Sequence, residues 1–198
     1  MIVLHGTRTS PFVRRVRIVA HELGLGVELV DSATADGQAA LRGVSPVWKV
    51  PAAVIDGVVV LDSHHIVDLL LERQGHAALR PRGDVREERN LEVVVDGALD
   101  AAINAFYLMQ GGLRRDQSAY LDKQLLRVDH ALGWVAGQLR GAGFTDPAGL
   151  GQAEVALITT LDWMRFRDAW PVDAHPALVS FLAHWADRPS LAQTLPGR

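Results

Sequence analysis

Strand-like apolar runs are confined to about the first 75 residues, and this division limits the possible folds more than any other feature. Ile2–Leu4 is typical of a strand, and apolar residues recur at helical spacing across Phe12–Leu23. Gly24 ends that predicted helix, and Val27–Val30 alternates as a half-buried strand does. A strand, a helix and a second strand in this order predict parallel pairing of the two strands.

A β-hairpin is predicted after a long loop. Ala52–Ile55 and Val58–Leu61 are apolar runs separated by Asp56-Gly57, the pair that best suits a two-residue type I′ turn. Ser63 then begins a helix with one apolar face. The order βαβ, loop, ββα predicts a small α/β domain over residues 1–78.

Helical stripes replace the strands after residue 85. Residues 79–84 combine proline, glycine and charge, which predicts a linker. Long helices with short connections bury their stripes against one another, so an all-helical domain is predicted over residues 85–198. Further stripes are expected over Glu154–Phe166 and Pro176–Ala186. The first two stripes comprise Leu91, Val94, Val95, Ala98, Leu99, Ala102, Ile103 and Phe106, then Leu121, Leu125, Val128, Leu132, Val135 and Leu139.

Composition removes several classes of function. Twenty Lys and Arg residues against 23 Asp and Glu residues give a net charge of -3, which is poorly suited to binding nucleic acid or anionic lipid. No apolar run approaches a membrane span of about 18 residues, and the N-terminus lacks signal-peptide character, so a cytoplasmic protein is expected. The chain has no cysteine. Any sulfur chemistry must therefore use the sulfur of a bound molecule.

The loop from the first strand into the first helix is one candidate binding site, since ligands of open α/β sheets bind at such strand ends. Pro11 suits the first helical position, which places Ser10 at the N-cap. The Ser10 hydroxyl either only caps the helix or also points at a ligand anion.

Two further segments have comparable alternatives. Pro51 either starts a strand in trans or forms a cis bond that exposes the Val50 backbone. Asp62 and Ser63 either cap the next helix or make a second anion site, and two such sites suit a ligand with two negative groups. His64 and its neighbour His65 do not share a helix face and have no convincing third ligand, so no metal site is predicted.

Three segments together resemble the glutathione transferase family, in its serine-type, bacterial-like form, over nearly the whole chain. They are Ser10–Arg17, Ser45–Pro51, and Asp62-Ser63 before an apolar helix. The resemblance implies a thioredoxin-like N-terminal domain, an all-helical C-terminal domain, a homodimer and a cis bond between Val50 and Pro51.

The resemblance also implies a set of site residues. Ser10 would hydrogen-bond the glutathione sulfur, although Thr9 offers a second hydroxyl beside it. Asp62 and Ser63 would hold the γ-glutamyl end, while Val50 would pair its backbone with the cysteinyl unit. The implied glutathione-binding set is completed by Phe12, Pro51 and Lys49, the last of which is otherwise a solvated loop lysine.

The electrophile is expected between the domains, against Tyr107 and Met109 near the end of a helix. Asp62, or Asp96 or Asp100 of a partner subunit, is expected to pair with the glutathione ammonium.

The chain departs from the family pattern in two places. Ser45 and Trp48 stand where asparagine and glycine are usual, and Gly151 with Glu154 supplies only half of the usual capping box of a buried helix. The arginines of the first helix either add positive potential to the site or form a solvated face; they are Arg14, Arg15 and Arg17.

The predicted activity is glutathione transfer, in which the enzyme activates the glutathione thiol for attack on a small hydrophobic electrophile, as in detoxification. Alternatives are a glutathione-dependent isomerase or dehalogenase, and a glutathione-binding interaction protein with little turnover. Without a cysteine the protein has no thiol for a mixed disulfide with glutathione. This favours conjugation or isomerisation over thiol exchange.

Overall fold

The computed structural model describes residues 1–74, 79, 84–145 and 148–196. The chain forms two compact units, one of Met1–Arg80 with Ala186–Arg198 and one of Pro81–Trp185. The α/β plus all-α class predicted from the sequence is confirmed. Residues 75–78 and 80–83, around the predicted domain boundary, lie outside the described residues. The final segment belongs to the first unit, whereas the sequence had placed it in the helical domain.

A four-stranded sheet forms the centre of the first unit, in the order β2-β1-β3-β4. Its strands are β1 (Ile2–Gly6), β2 (Val27–Asp31), β3 (Ala52–Ile55) and β4 (Val58–Leu61). β1 pairs with β2 in parallel, as the βαβ prediction requires, and β3 pairs with β4 antiparallel, as the hairpin prediction requires; β1 and β3 also pair antiparallel. Asp56 and Gly57 have φ values of 50° and 85°, which confirms a turn with two left-handed residues.

Three helices of the first unit follow its strands: α1 (Pro11–Glu22), α2 (Ala35–Val44) and α3 (Ser63–Gln74). The predicted long loop between β2 and β3 is wrong, because α2 occupies it. Only Gly37 and Leu41 of α2 are buried, so the segment lacks an apolar stripe that could reveal a helix. The usable signal is Thr34, whose hydroxyl oxygen accepts a hydrogen bond from the Gly37 N–H at 3.0 Å.

The second unit is built from helices, as predicted. They are α4 (Val85–Gln110), α5 (Ala119–Gln138), α6 (Gln152–Arg167) and α7 (Pro176–Trp185), with short 3₁₀ turns at Arg115–Gln117 and Val172–Ala174. α6 is buried almost all round, which is typical of a helix at the centre of a bundle. Within the described part of the chain, no helix is long and apolar enough to cross a membrane.

The C-terminal segment carries the short helix α8 (Pro189–Ala192) and packs on α1. Arg14, only 1% exposed, donates from Nε to Thr194 Oγ1 and from Nη2 to the Leu191 carbonyl, each at 3.3 Å. Arg188 Nη2 lies 2.6 Å from Glu22 Oε2. Arg14 is therefore neither solvated nor directed at the site, because it joins the chain end to the first helix.

Candidate functional site

The three sequence segments meet at one end of the sheet, where β1 and β4 end and β3 begins. His5 of β1 pairs with Ala52 of β3, and Ala52 also pairs with Leu61 of β4. The Ser10 loop follows β1, Pro51 precedes Ala52, and Asp62 follows Leu61. Segments separated by up to about fifty residues in sequence therefore meet where ligands of open α/β sheets bind.

Ser10 is the N-cap residue of α1. Its Oγ accepts a hydrogen bond from the Val13 N–H at 3.3 Å, and its side chain is half-buried. A hydroxyl that accepts from the backbone keeps its own proton for donation. Capping and ligand binding, posed as alternatives by the sequence, are thus compatible in this geometry.

Thr9, the second candidate hydroxyl, lies 3.4 Å from Thr7, measured between the two Oγ1 atoms. Thr9 is half-buried and does not occupy the N-cap position. Ser10 is thus the hydroxyl that caps the start of α1, with the Val13 N–H as its partner.

The peptide between Val50 and Pro51 is cis, as the resemblance implied. Val50 lies beyond the last residue pair of β3, whose register ends at Ala52. The backbone of Val50 thus extends past the paired part of the strand. Lys49 is exposed.

Trp48 has a φ of 54° and is 62% exposed. This left-handed region is the one that glycine adopts without steric cost, which explains why the family pattern has glycine here. The indole ring lies under the Arg42 guanidinium, 5.1 Å from its central carbon. Trp48 keeps the backbone conformation of a glycine while presenting a large aromatic surface.

Asp62 and Ser63 begin α3. The exposed Asp62 has a φ of 76°, and its Oδ1 accepts from the His64 N–H at 2.8 Å, so it caps the helix. Ser63 is only 2% exposed, and its Oγ accepts from Arg15 Nη1 at 3.2 Å. A non-glycine residue in the left-handed region beside a buried hydroxyl is a feature that clusters at ligand sites.

Arg15 was expected on the polar face of α1, and it is instead 3% exposed. It reaches Ser63 and His64 on α3, and its guanidinium carbon lies 5.6 Å from the ring centroid of half-buried Phe12. Sequence periodicity missed this contact, because a long arginine can cross a helix interface whose geometry only the fold defines.

Burial lowers the pKa of two basic side chains, one in β1 and one in α1. Burial lowers the pKa of His5, so its ring is neutral at pH 7. Burial, and then repulsion from Arg8 and Arg14, lowers the pKa of Arg17, which remains charged. Among residues 1–74, 79, 84–145 and 148–196, no three His, Asp or Glu side chains are arranged to hold a metal ion.

Tyr107 and Met109 lie exposed in the last turn of α4. Phe106 packs edge-on against Tyr107 and Trp163, with ring centroids 5.3 and 5.6 Å apart. The contact of Tyr107 and Met109 with an electrophile stays a prediction.

Known proteins resemble both the sequence and the fold. A family model described as the N-terminal domain of glutathione S-transferase matches residues 4–79. The GST-like protein YibF of Escherichia coli (strain K12), described as uncharacterized, is 27% identical over 200 residues and 98% of each chain.

Two solved structures extend the likeness to the whole chain. A glutathione S-transferase from Methylobacillus flagellatus KT, with glutathione bound, is 28% identical with a TM-score of 0.83, over 99% of this chain and 100% of that one. A glutathione transferase family member from Pseudomonas fluorescens Pf-5, also with bound glutathione, is 25% identical with a TM-score of 0.81, over 100% of both chains. The thioredoxin-like first unit matches the glutathione S-transferase N-terminal domain over residues 4–79, and the whole chain is similar in sequence and fold to glutathione transferases.

Proposed function

We propose that this protein is a glutathione transferase in which Ser10 holds the glutathione sulfur as a thiolate for attack on a small hydrophobic electrophile. The observation that carries the proposal is the Ser10 hydroxyl, which accepts from Val13 N–H and so keeps its proton for the sulfur. The relatives crystallised with glutathione support the choice of ligand.

The interactions available at Ser10 supply enough free energy to lower the pKa of the glutathione thiol. A free thiol with a pKa near 8.5 is only about 3% thiolate at pH 7, and lowering that pKa by about two units needs roughly 2.7 kcal/mol. A hydrogen bond to a charged group supplies about 1.5 to 3 kcal/mol, and a helix N-terminus adds about 0.3 to 1 kcal/mol. Ser10 at the start of α1 therefore suffices without a general base.

In the reaction, the thiol proton leaves to solvent and the Ser10 O–H donates to the sulfur anion. The sulfur lone pair then forms a bond to the electrophilic carbon, and the leaving group departs with its bonding electrons. Binding would use Val50 for the cysteinyl backbone, and Asp62 and Ser63 for the γ-glutamyl end. Phe12, Lys49 and Pro51 complete this set.

Two further parts of the proposal come from the sequence, and of these the homodimer is the one that the family resemblance implies. The electrophile contacts Tyr107 and Met109, and the protein acts as a cytoplasmic homodimer in which Asp96 or Asp100 reaches the partner's glutathione ammonium. Sedimentation velocity of the purified chain checks the dimer, and a monomer at micromolar concentration would contradict it.

Replacement of Ser10 by alanine tests the mechanism. We expect the pKa of the bound thiol, followed by thiolate absorbance, to rise by about one to two units. Conjugation to chlorodinitrobenzene at pH 7 should slow by about ten-fold. Because alanine also removes an N-cap, Ser118→Ala is the matched control: Ser118 caps α5 through the Leu121 N–H at 3.2 Å, in the other unit.

Each alternative to thiol activation by Ser10 predicts a different experimental result. If Thr9→Val raises the thiol pKa and Ser10→Ala does not, the thiolate contact belongs to Thr9. An unchanged pKa and rate in both variants would mean that neither hydroxyl activates the thiol. Tight glutathione binding without conjugation of any electrophile tested would favour an interaction protein.

A further inference from the structure

Arg15 joins α1 to the first residues of α3. Its Nη1 atom lies 3.2 Å from Ser63 Oγ and 2.9 Å from His64 Nε2, and the side chain is 3% exposed. The guanidinium also lies over the Phe12 ring at 5.6 Å. One buried cation thus contacts three residues, two of which were predicted from the sequence to bind glutathione.

We propose that Arg15 is a positioning residue that fixes the Ser63 hydroxyl as a donor toward the γ-glutamyl carboxylate. This inference rests on the proposed function. A guanidinium has five donors and no acceptor, so the contact with Ser63 must use a lone pair of the serine oxygen. The Ser63 proton is then directed away from Arg15 and is available to a bound carboxylate.

His64 contacts the same guanidinium nitrogen as Ser63. Because arginine only donates, His64 Nε2 must accept in this contact, and the ring proton then lies on Nδ1. The guanidinium carbon lies over the Phe12 ring, a contact that arginine makes readily. Arg15 is therefore oriented by its surroundings before a ligand arrives.

Burial makes this orientation matter. Ser63 is nearly inaccessible to water, so its hydroxyl cannot turn freely among solvent partners. A hydrogen bond formed there is stronger than one in water, and a wrongly turned hydroxyl costs more. Asp62, by contrast, is exposed and caps α3 through His64 N–H, and a carboxylate side chain accepts hydrogen bonds rather than donating them to the ligand carboxylate.

The test compares two ligands on three proteins by calorimetry. The ligands are glutathione and an analogue in which γ-aminobutyrate replaces the γ-glutamyl residue, which keeps the amine and lacks the carboxylate. We expect Arg15→Met to weaken glutathione binding by about ten- to fifty-fold and to leave analogue binding close to wild type. Arg15→Lys keeps the charge and can still donate to Ser63 but lacks the planar guanidinium, so its affinity for glutathione should lie between those of wild type and Arg15→Met.

The kinetic readout separates positioning from thiol activation. Arg15 does not contact the sulfur, so KM for glutathione should rise while kcat at saturating glutathione stays near wild type. Arg14→Met is the matched control, because Arg14 is equally buried on α1 but contacts Leu191 and Thr194 instead. Arg14→Met should change the affinities for glutathione and for the analogue by the same factor.

Equal weakening of both ligands by Arg15→Met would overturn the inference, and so would unchanged glutathione affinity. If Arg15→Met fails to fold, Arg15→Lys is measured alone and in a Ser63→Ala background. A positioning role predicts that the lysine effect disappears without the Ser63 hydroxyl, and a persistent effect contradicts it. If the wild-type protein binds neither ligand, the proposed function itself is wrong.

Discussion

At the scale of single residues, Gly37 is the position at which α2, the helix that the sequence did not predict, requires a glycine. A Cβ atom built at Gly37 would lie 1.9 Å from the Asp31 carbonyl oxygen, which is backbone and cannot move aside cheaply. A Cβ at Gly43, in the same helix, meets no atom within 4 Å. Glycine at position 37 is therefore required by the close approach of α2 to the end of β2, whereas position 43 has open space for a side chain.

We expect Gly37→Ala to lower the free energy of unfolding by about 2 to 4 kcal/mol, because the helix must move off the end of β2. Gly43→Ala should instead raise it by up to about 1 kcal/mol through helix propensity. Urea unfolding of both variants checks the pair. Equal effects of the same sign would show that the close approach at Gly37 does not control α2 packing.

At the scale of elements, the start of α6 is completed by a residue distant in sequence. Glu154 accepts from the Gly151 N–H, and Glu88 of α4 accepts from the Gln152 N–H at 3.0 Å. A Cβ at Gly151 would lie 2.8 Å from the Glu88 carboxylate and 2.9 Å from that of Glu154. Glu88 of α4 thus adds a backbone contact at the first residue of α6, and a side chain at Gly151 would require the Glu88 and Glu154 carboxylates to move.

This arrangement makes the helical unit sensitive to pH. Burial first, and then the nearby charges of Glu92 and Glu154, raise the pKa of Glu88 to about 7. The folded state therefore holds a proton that the unfolded state releases near pH 4.5. Stability should fall as pH rises from about 4.5 to about 7, by about 2 kcal/mol once partial exposure is allowed for.

Glu88→Gln should remove this dependence of stability on pH, because the amide cannot ionise and its oxygen can still accept from Gln152 N–H. Urea unfolding at pH 5 and pH 7.5 measures the difference between wild type and variant. Glu87→Gln, its exposed neighbour in the first turn of α4, is the control and should keep the wild-type slope. If Glu88→Gln retains the full pH dependence of stability, a group other than Glu88 is responsible for it.

At the scale of the whole molecule, the chain ends in the unit where it began. Arg14, buried in α1, donates hydrogen bonds to Leu191 and Thr194, and Glu22 accepts from Arg188. A chain ending at Trp185 would leave a buried arginine without these partners, which costs about 3 to 5 kcal/mol.

We expect this truncation to lower the free energy of unfolding by about that amount, while a chain ending at Thr194 stays near wild type. The added change Arg14→Met should be destabilising in the full chain and neutral or stabilising in the chain ending at Trp185. Denaturant unfolding of the four proteins checks this. The same Arg14→Met effect in both backgrounds would mean that the C-terminal segment does not satisfy Arg14.

Features specified by neighbouring residues were predictable from the sequence. The hairpin follows from Asp56-Gly57 between two apolar runs, and the long helices follow from their stripes, because both depend on spacings within a few residues. The absence of cysteine excluded exchange through a thiol of the protein in any fold. The segments around Ser10, Pro51 and Ser63 were found because each begins or ends an element.

Only the tertiary structure decided where long side chains go. Arg14, Arg15 and Glu88 look like ordinary surface charges by periodicity, yet each reaches a backbone or hydroxyl group far away in sequence. Arg15 and Ser63 are 48 positions apart, and Arg14 and Thr194 are 180 apart. The physical reason is that a buried charge is tolerated only where partners converge on it, and that convergence is a property of packed elements rather than of local sequence.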